Sequence, residues 1–378
     1  MKKLIATLLF LVMVSGFFPY TTAAAVPANS ASSVILFHPD SETVLYEQNA
    51  DERSLVASTT KIMTALLVLE HCDLGEKVTV EPEHTLVEGS SMYLKAGEEY
   101  TVCDLLHGLM LASGNDAALA LACHVGGSVE GFARLMNQKA EELGLQNSSF
   151  ENPHGLDGKN HYSSARDLAI ITAAAMEDET FCKIVSTRSY TVGELTYYNN
   201  NKLLRDYEGA IGVKTGYTMK AGRSLVSAAE RNGMRLICVT LNDPDDWRDH
   251  MALYDWAFNE YTYKNALPYG EFARLPVISG LDDSVGVAPW QVPGILVKND
   301  SEISLAVELP RFVYAEVREG EKAGCVTVSV DGSPAAIVDL RFLDSVDLDE
   351  TIRLTPWERF KRAWFMANKY GYTYYGHF

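Results

Sequence analysis

Residues 33–261 alternate between strand-like and helix-like segments in an order that restricts the possible folds more than any other feature of the chain. Residues 33–48 contain two runs rich in β-branched and aromatic residues around a Pro-Asp-Ser turn, which predicts a hairpin. A cluster of helical segments follows over residues 58–176, where apolar residues recur at spacings of three and four. Three strand-like segments come next, and a helix predicted over residues 246–261 follows them. Strands at both ends of one segment predict an antiparallel sheet with packed helices, an α+β fold.

The three consecutive strands are predicted from the segments AIGVKTGYT, SLVSAAE and MRLICVTLN. Arg231-Asn232-Gly233 joins the last two, and Asn-Gly between alternating runs is the strongest short hairpin signal. We therefore expect a meander in the middle of this first domain, which we place at residues 26–265.

The composition changes after the first domain. Over residues 267–345, short alternating segments are separated by Gly, Pro, Asn and Asp, which predicts a small all-β domain. The clearest of these segments are GILVKN, ISLAVEL, FVYAEVRE and CVTVSV.

The last segment, residues 350–378, is predicted to form an amphipathic tail helix. Thr355-Pro356 supplies a capping residue and a proline suited to the first helical position. Trp357, Phe360 and Trp364 then lie three and four residues apart beside Arg359, Lys361 and Arg362, a pattern that suits a helix lying in a membrane interface. Fifteen helical residues span only about 22 Å, too short to cross a bilayer. The alternative is that these aromatic side chains dock on the protein itself.

The amino terminus has the features of an export signal. Lys2 and Lys3 precede an apolar run from Leu4 to Phe18, and a stretch of small residues ends at Ala25. This pattern predicts a signal peptide over residues 1–25, whereas a retained membrane helix would need a longer apolar run. The formal net charge of −18 argues against nucleic-acid binding, which requires a basic patch.

Six cysteines occur singly along the chain, with no C-x-x-C pair: Cys72, Cys103, Cys123, Cys182, Cys238 and Cys325. Disulfides are possible in an exported chain, but a chain of this length does not need them for stability. We favour core thiols that act as small hydrophobic side chains.

Three short motifs carry candidate chemistry. Ser58-Thr59-Thr60-Lys61 would place a hydroxyl beside an amine, because residues three apart share one face of a helix. A lysine amine can activate a serine if burial or a second cation keeps it neutral. Taken alone, the motif could equally be a capping serine followed by a surface lysine.

The other two motifs fit a substrate-binding cleft. Ser113-Gly114-Asn115 lies between two helical runs and could aim a hydroxyl and an amide into a cleft, although it could also be a simple helix connection. Lys214-Thr215-Gly216 lies on a predicted strand, where a cation and a hydroxyl suit a carboxylate and Gly216 permits close backbone approach. The alternative for Lys214 is an exposed lysine on an edge strand.

The three motifs in this order form the pattern described for penicillin-binding proteins and serine β-lactamases. The segments that carry the closer resemblance are ASTTKIMTALL, LMLASGNDAALALA, NPHGLD, HYSSARDLAII and GVKTGYT. They resemble the D-alanyl-D-alanine carboxypeptidase family of low-mass penicillin-binding proteins over roughly residues 33–262. The resemblance implies a β-lactamase/transpeptidase-like fold, a β-rich second domain and an amphipathic membrane anchor at the outer face of the cell membrane.

The resemblance also implies residue roles. Ser58 would be the acyl-enzyme nucleophile and Lys61 its base, with Ser113 and Asn115 as the second catalytic element. Lys214, Thr215 and Gly216 would bind the terminal carboxylate of a peptide ending in D-Ala-D-Ala, and the backbone amides of Ser58 and Tyr217 would form the oxyanion hole. No cofactor or metal is implied, and β-lactams would act as inhibitors.

The chain departs from relatives at two places. Ser54-Leu55-Val56-Ala57 lacks a proline that relatives often carry, and Tyr217 stands where some relatives have histidine. We expect altered kinetics or specificity from these changes, because only backbone amides matter at the second position.

Two other functions share parts of this pattern. A class A β-lactamase needs a deacylating glutamate, for which Glu151 is the nearest candidate. A membrane-tethered penicillin sensor would retain the three motifs without turnover. His154 and His161 are seven residues apart without an H-E-x-x-H motif, so we interpret them as structural loop histidines and not as zinc ligands.

Overall fold

The computed structural model describes residues 25–351 and 355–369 of the 378-residue chain. The predicted signal peptide, apart from its last residue, and the end of the predicted tail lie outside the described residues. The helices are α1 (Lys61–His71), α2 (Val102–Leu111), α3 (Asn115–Gly126), α4 (Val129–Glu142), α5 (Ala165–Ala175), α6 (Glu179–Ser186), α7 (Leu203–Asp206), α8 (Asp246–Glu260) and α9 (Pro356–Lys369).

The strands of the first half are β1 (Ser33–His38), β2 (Thr43–Gln48), β3 (Lys77–Thr79), β4 (Glu99–Thr101), β5 (Ser189–Val192), β6 (Leu195–Tyr198), β7 (Ala210–Thr218), β8 (Gly222–Arg231) and β9 (Met234–Leu241). Those of the second half are β10 (Tyr261–Asn265), β11 (Ala273–Ile278), β12 (Ser284–Pro289), β13 (Gly294–Lys298), β14 (Ile303–Glu308), β15 (Val313–Tyr314), β16 (Lys322–Val330) and β17 (Ser333–Phe342).

The main sheet combines the first hairpin with the later meander, as the segment order predicts. Its five strands run antiparallel in the order β2-β1-β9-β8-β7, so β7 is an edge strand. Asn232 and Gly233 both have positive φ angles, 52° and 76°, which a two-residue turn between β8 and β9 requires.

Side chains alternate between the two faces of this sheet. Ile35 belongs to the apolar core between the sheet and helices α1–α6. Its neighbours Val34 and Leu36 belong to the second apolar core, which includes the buried side chains of α8. This period of two is the expected consequence of strand geometry. The predicted α+β arrangement is confirmed, and the helices lie on both faces of the sheet.

The second half of the chain forms an all-β region, as predicted. Its sheet has the order β14-β16-β17-β12-β11-β15 and encloses a separate apolar core. Within the alternating segment FVYAEVRE, the structure has a strand at Val313–Tyr314 and none over the following residues of the segment. Val313 and Tyr314 pair with β11, but Val317 bridges to Val346, so the segment changes partners before a longer strand can form.

The tail helix α9 begins at a capping box in which the Glu358 amide donates to Thr355 Oγ1 and the Thr355 amide donates to the Glu358 carboxylate. Trp357, Phe360 and Trp364 are between 56% and 67% exposed. Among the described residues, no helix is both long enough and apolar enough to cross a membrane.

All six cysteines lie in the described part of the chain and are free thiols. The interpretation of them as core thiols fits Cys238, which is fully buried. The other five are half-buried, and Cys72 and Cys182 among them pack against the core of the helical layer.

Candidate active site

Ser58 lies in a 3-10 turn, Ala57–Thr60, that runs directly into α1, which begins at Lys61. Ala57 has a φ of 49°, a left-handed conformation that costs energy for a residue with a Cβ. A neighbouring loop supports this turn, because Gly155 approaches so closely that a Cβ there would lie 1.8 Å from the Ala57 carbonyl oxygen. The turn therefore holds Ser58 in one position at the start of the helix.

Lys61 is fully buried and is surrounded by oxygen atoms. Its amine donates to Asn115 Oδ1 at 2.7 Å and to the His154 carbonyl at 2.8 Å, and it lies 2.9 Å from Ser58 Oγ. Burial lowers the pKa of Lys61 well below its usual range, and the charge of Lys214 lowers it further, while Asp116 opposes the shift. A neutral amine can donate two hydrogen bonds and still accept the proton of Ser58.

Ser113 and Asn115 lie at the junction between α2 and α3, as predicted. Ser113 has a φ of 61°, and its hydroxyl is buried without a hydrogen-bond partner among the described residues. The Asn115 side-chain amide donates to the Glu88 carbonyl at 2.6 Å, so its Oδ1 faces Lys61. The junction thus presents one unpaired hydroxyl and one oriented amide beside the amine.

Asp116 is a site residue that the sequence analysis did not identify. Its buried carboxylate accepts hydrogen bonds from the Met92 amide at 2.8 Å, the Leu94 amide at 3.0 Å and Ser91 Oγ at 2.6 Å. It therefore fixes the loop that leads into the cleft. Its position directly after the Ser-Gly-Asn motif is the only sequence signal that could have drawn attention to it.

Lys214, Thr215 and Gly216 lie on the edge strand β7, next to the nucleophile turn. Lys214 is only 1% exposed, which excludes the alternative of a surface lysine, and burial lowers its pKa to about 7. Its amine donates to the Thr215 carbonyl at 2.9 Å. A Cβ on Gly216 would lie 3.1 Å from the Ser58 amide nitrogen, so glycine allows β7 to approach the turn. Tyr217 follows on the same strand with its ring exposed.

Five of the predicted site residues line a cavity of about 320 Å³, while the buried Lys61, Asn115 and Lys214 lie behind its surface; the lining also contains polar side chains absent from the predicted site. Its lining comprises Ser58, Ser90, Ser113, Asn200, Lys202, Thr215, Gly216, Tyr217, Arg223, Asp246 and Trp247. A larger cavity of about 730 Å³ lies between β1, β2 and α5, and its lining contains no serine, threonine or cysteine. We therefore place the chemistry in the smaller cavity, because Ser58 is part of its lining.

Arg223 lines the cavity and is the most informative of the residues that the sequence analysis did not name. It pairs with Tyr217 across β7 and β8, so its side chain lies on the same sheet face as those of Tyr217 and Thr215. One guanidinium nitrogen donates to both oxygens of buried Asp246, at 2.7 and 2.8 Å, and Nε has no partner among the described residues. Its position just past the turn that follows Lys-Thr-Gly could have revealed it from the sequence.

The two loop histidines have structural contacts, in agreement with the prediction. His161 Nε2 lies 2.8 Å from Thr60 Oγ1, and burial lowers its pKa to about 4. His154 Nδ1 accepts from the Leu156 amide at 3.2 Å, and burial lowers its pKa to about 3. Glu151, the candidate for a β-lactamase glutamate, is exposed and accepts a hydrogen bond from Asn160.

Comparisons with known proteins agree with this geometry. A family model described as D-alanyl-D-alanine carboxypeptidase, peptidase family S11, matches residues 20–245. The chain is 34% identical over 359 residues to D-alanyl-D-alanine carboxypeptidase DacF of Bacillus subtilis, a match that covers 89% of this chain and 92% of the relative.

Two solved structures are similar in fold. Penicillin-binding protein 5 of Haemophilus influenzae superposes with a TM-score of 0.69 at 31% identity, covering 86% of this chain and 99% of that one. The DD-transpeptidase of Streptomyces K15 superposes with a TM-score of 0.61 at 36% identity, covering 62% of this chain and 99% of that one. The match to a family model over more than half of the chain shows that the protein belongs to the D-alanyl-D-alanine carboxypeptidase family of serine hydrolases.

Proposed function

We propose that the protein removes the terminal D-alanine from peptidoglycan stem pentapeptides through an acyl-enzyme on Ser58, and that penicillin acylates the same serine. The observation that carries this proposal is the distance of 2.9 Å between Ser58 Oγ and the buried amine of Lys61. Burial and the charge of Lys214 favour the neutral amine, which is the form that can act as a base.

The Arg223 guanidinium and the Lys214 amine can bind the substrate's terminal carboxylate in this arrangement. Thr215 and Arg223 share one face of β7 and β8, and the buried amine of Lys214 lies behind the same strand. An Arg guanidinium held on one side by Asp246 retains donors for a carboxylate on the other. We assign Arg223 to this role beside Lys214, Thr215 and Gly216.

Acylation then follows from the positions of the remaining groups. Ser58 Oγ attacks the carbonyl carbon of the penultimate D-Ala, its proton passes to Lys61, and the amides of Ser58 and Tyr217 stabilise the oxyanion. The carbon–nitrogen bond breaks, and the leaving D-Ala amine takes the proton from Lys61 through the unpaired Ser113 hydroxyl. Water, deprotonated by Lys61, hydrolyses the ester and restores Ser58.

The test is D-alanine release from diacyl-Lys-D-Ala-D-Ala by the wild type and by the Ser58→Ala variant. We expect release by the wild type and none by the variant, together with stoichiometric and slowly reversed labelling of the wild type by penicillin. Equal release by both proteins would sink the proposal. Rapid turnover of a chromogenic β-lactam would indicate a β-lactamase, and acylation without D-alanine release would indicate a sensor.

We also propose that residues 1–25 direct export and that α9 lies on the outer face of the cell membrane. The exposed Trp357, Phe360 and Trp364, with Lys361 on the same helix, support this surface location. In this division, residues 26–265 form the acyl-transfer domain, 267–345 the small β domain and 350–378 the tail. Co-sedimentation with anionic vesicles should be lost in a chain that ends at Thr351, and equal binding by both chains would contradict this assignment.

A further inference from the structure

Three side chains that offer metal-ligand atoms meet at the end of the helical layer remote from Ser58. Cys72 follows the last residue of α1, Glu76 lies in the turn before β3, and His124 lies in the last turn of α3. The Cys72 sulfur, a Glu76 carboxylate oxygen and a His124 ring nitrogen all lie within 4.8 Å of one another.

The position of this Cys72–Glu76–His124 cluster relates it to the catalytic residues. Lys61 is the first residue of α1 and Asn115 the first of α3, whereas Cys72 and His124 lie at the opposite ends of those helices. Eleven or twelve helical residues separate the two ends by roughly 16–18 Å. A bond across the cluster would therefore join the far ends of the two helices that carry the Lys61–Asn115 hydrogen bond.

Local contacts already orient the Glu76 carboxylate. One of its oxygens accepts from the Asp73 amide at 2.6 Å, and the other lies 3.1 Å from His124 Nε2. The backbone of the turn is held as well, because the Val102 amide donates to the Glu76 carbonyl at 2.9 Å. The Cys72 amide bonds to the Val68 carbonyl at 3.0 Å and so fixes the start of the segment.

A thiolate, an imidazole and a carboxylate form a ligand set that suits Zn²⁺ and similar borderline cations. With metal–ligand distances of about 2.0–2.3 Å, a tetrahedral ion would hold its ligand atoms about 3.3–3.6 Å apart. His124 Nε2 and the nearer Glu76 oxygen, 3.1 Å apart, are already slightly closer than this, and Cys72 Sγ, which lies within 4.8 Å of both side chains, needs to approach by at most about 1.5 Å. On binding, the thiol and any imidazolium lose a proton to solvent, and water takes the fourth position.

We propose that Cys72, Glu76 and His124 bind one Zn²⁺ ion or a similar divalent cation, which clamps the far ends of α1 and α3. The site is structural and takes no part in acyl transfer. This inference does not rest on the proposed function, because it concerns residues outside the catalytic cavity.

The test uses the full chain, treated with a chelator and kept reduced with a phosphine. Addition of Co²⁺ alone should give a saturable thiolate-to-cobalt charge-transfer band at one ion per chain. Zn²⁺ alone should displace the cobalt and raise Tm by roughly 5 °C when its concentration is about 100 times Kd. D-alanine release should be the same with and without the ion.

Variants separate this site from other thiols. Cys72→Ser should abolish the cobalt band, and His124→Gln should weaken metal binding at least about tenfold. The control is Cys182→Ser, since the Cys182 thiol is also half-buried but donates to the Met176 carbonyl. This control should bind as the wild type does.

Unchanged circular dichroism and D-alanine release in Cys72→Ser would show that a lost band reflects a lost ligand and not a lost fold. A cobalt band that persists in Cys72→Ser or disappears in Cys182→Ser overturns the proposal. So does a Zn²⁺ titration that shows no saturation at one ion per chain, or a rate of D-alanine release that depends on the ion.

Discussion

Replacing Lys214 with methionine should make the protein more stable and, at the same time, far less active. Lys214 is almost fully buried, and burial lowers its pKa from 10.5 to about 7. At about 1.4 kcal/mol for each pKa unit, this difference corresponds to roughly 5 kcal/mol by which burial of the protonated amine destabilises the folded protein. Methionine has a similar length and carries no charge.

The net gain is smaller because the variant also loses a hydrogen bond. The Lys214 amine donates to the Thr215 carbonyl at 2.9 Å, a contact worth about 1 kcal/mol. Replacement of a buried charge by an apolar side chain of similar volume is neutral to stabilising by about 1–4 kcal/mol in other proteins. We therefore expect Lys214→Met to raise the free energy of unfolding by about 2–4 kcal/mol at pH 6.

The pH dependence of this gain identifies its cause. The unfolded chain binds the Lys214 proton up to about pH 10.4, whereas the folded protein loses it above about pH 7. The wild type therefore gains stability as pH rises from about 7 to about 10, because the unfolded state binds more protons in that window. The advantage of the variant should be largest at pH 6 and should vanish near pH 10.

The assay is thermal unfolding of the wild type and Lys214→Met at intervals from pH 6 to pH 10, together with D-alanine release at pH 7. We expect Tm to be higher in the variant by roughly 5 °C or more at pH 6. The kcat/KM for release should fall by about 100-fold or more, since the carboxylate loses a cation. A variant that is less stable than the wild type at pH 6, or whose advantage grows with pH, would refute the argument.

Three further variants test other contacts of the site. Asn115→Ala removes the acceptor at 2.7 Å from the Lys61 amine and should lower the rate of penicillin acylation by about 100-fold, measured by stopped flow; an unchanged rate would exclude Asn115 from the acylation step. Gly216→Ala places a methyl group about 3.1 Å from the Ser58 amide, so acylation should slow at least tenfold with a change in Tm of only a few degrees, and wild-type acylation would show that β7 does not need this close approach. Arg223→Leu should raise KM for the peptide by about tenfold or more while Arg223→Lys recovers part of it, whereas an equal KM in all three proteins would remove Arg223 from carboxylate binding.

Local signals in the sequence predicted the helical and hairpin elements around the site well. Ser164 caps α5 by accepting a hydrogen bond from the Asp167 amide at 3.1 Å, and Gly127, with a φ of 70°, follows the end of α3. Both features depend on side chains within a few residues, where composition decides conformation. The small pairs β3–β4 and β5–β6 escaped prediction because each has only three or four residues per strand.

Longer-range pairing was less predictable in the second half of the chain. β10 follows directly from α8, yet it pairs with β13 in a separate two-stranded sheet. The alternating segment FVYAEVRE has the right period for a strand but not one continuous partner along its length. Period alone does not specify which backbone lies alongside a segment, so the extent of such strands depends on tertiary contacts.

The sequence by itself determined the family, the order of the three motifs and the residues that could carry the chemistry. Helical spacing alone also brings Lys61 close to Ser58, because they are three residues apart. Only the tertiary structure decided that both Lys61 and Lys214 are buried, that Arg223 and Asp246 face the same cavity, and that Cys72, Glu76 and His124 meet. These properties depend on burial and on contacts between segments distant in the chain, which set amine pKa values and ligand distances.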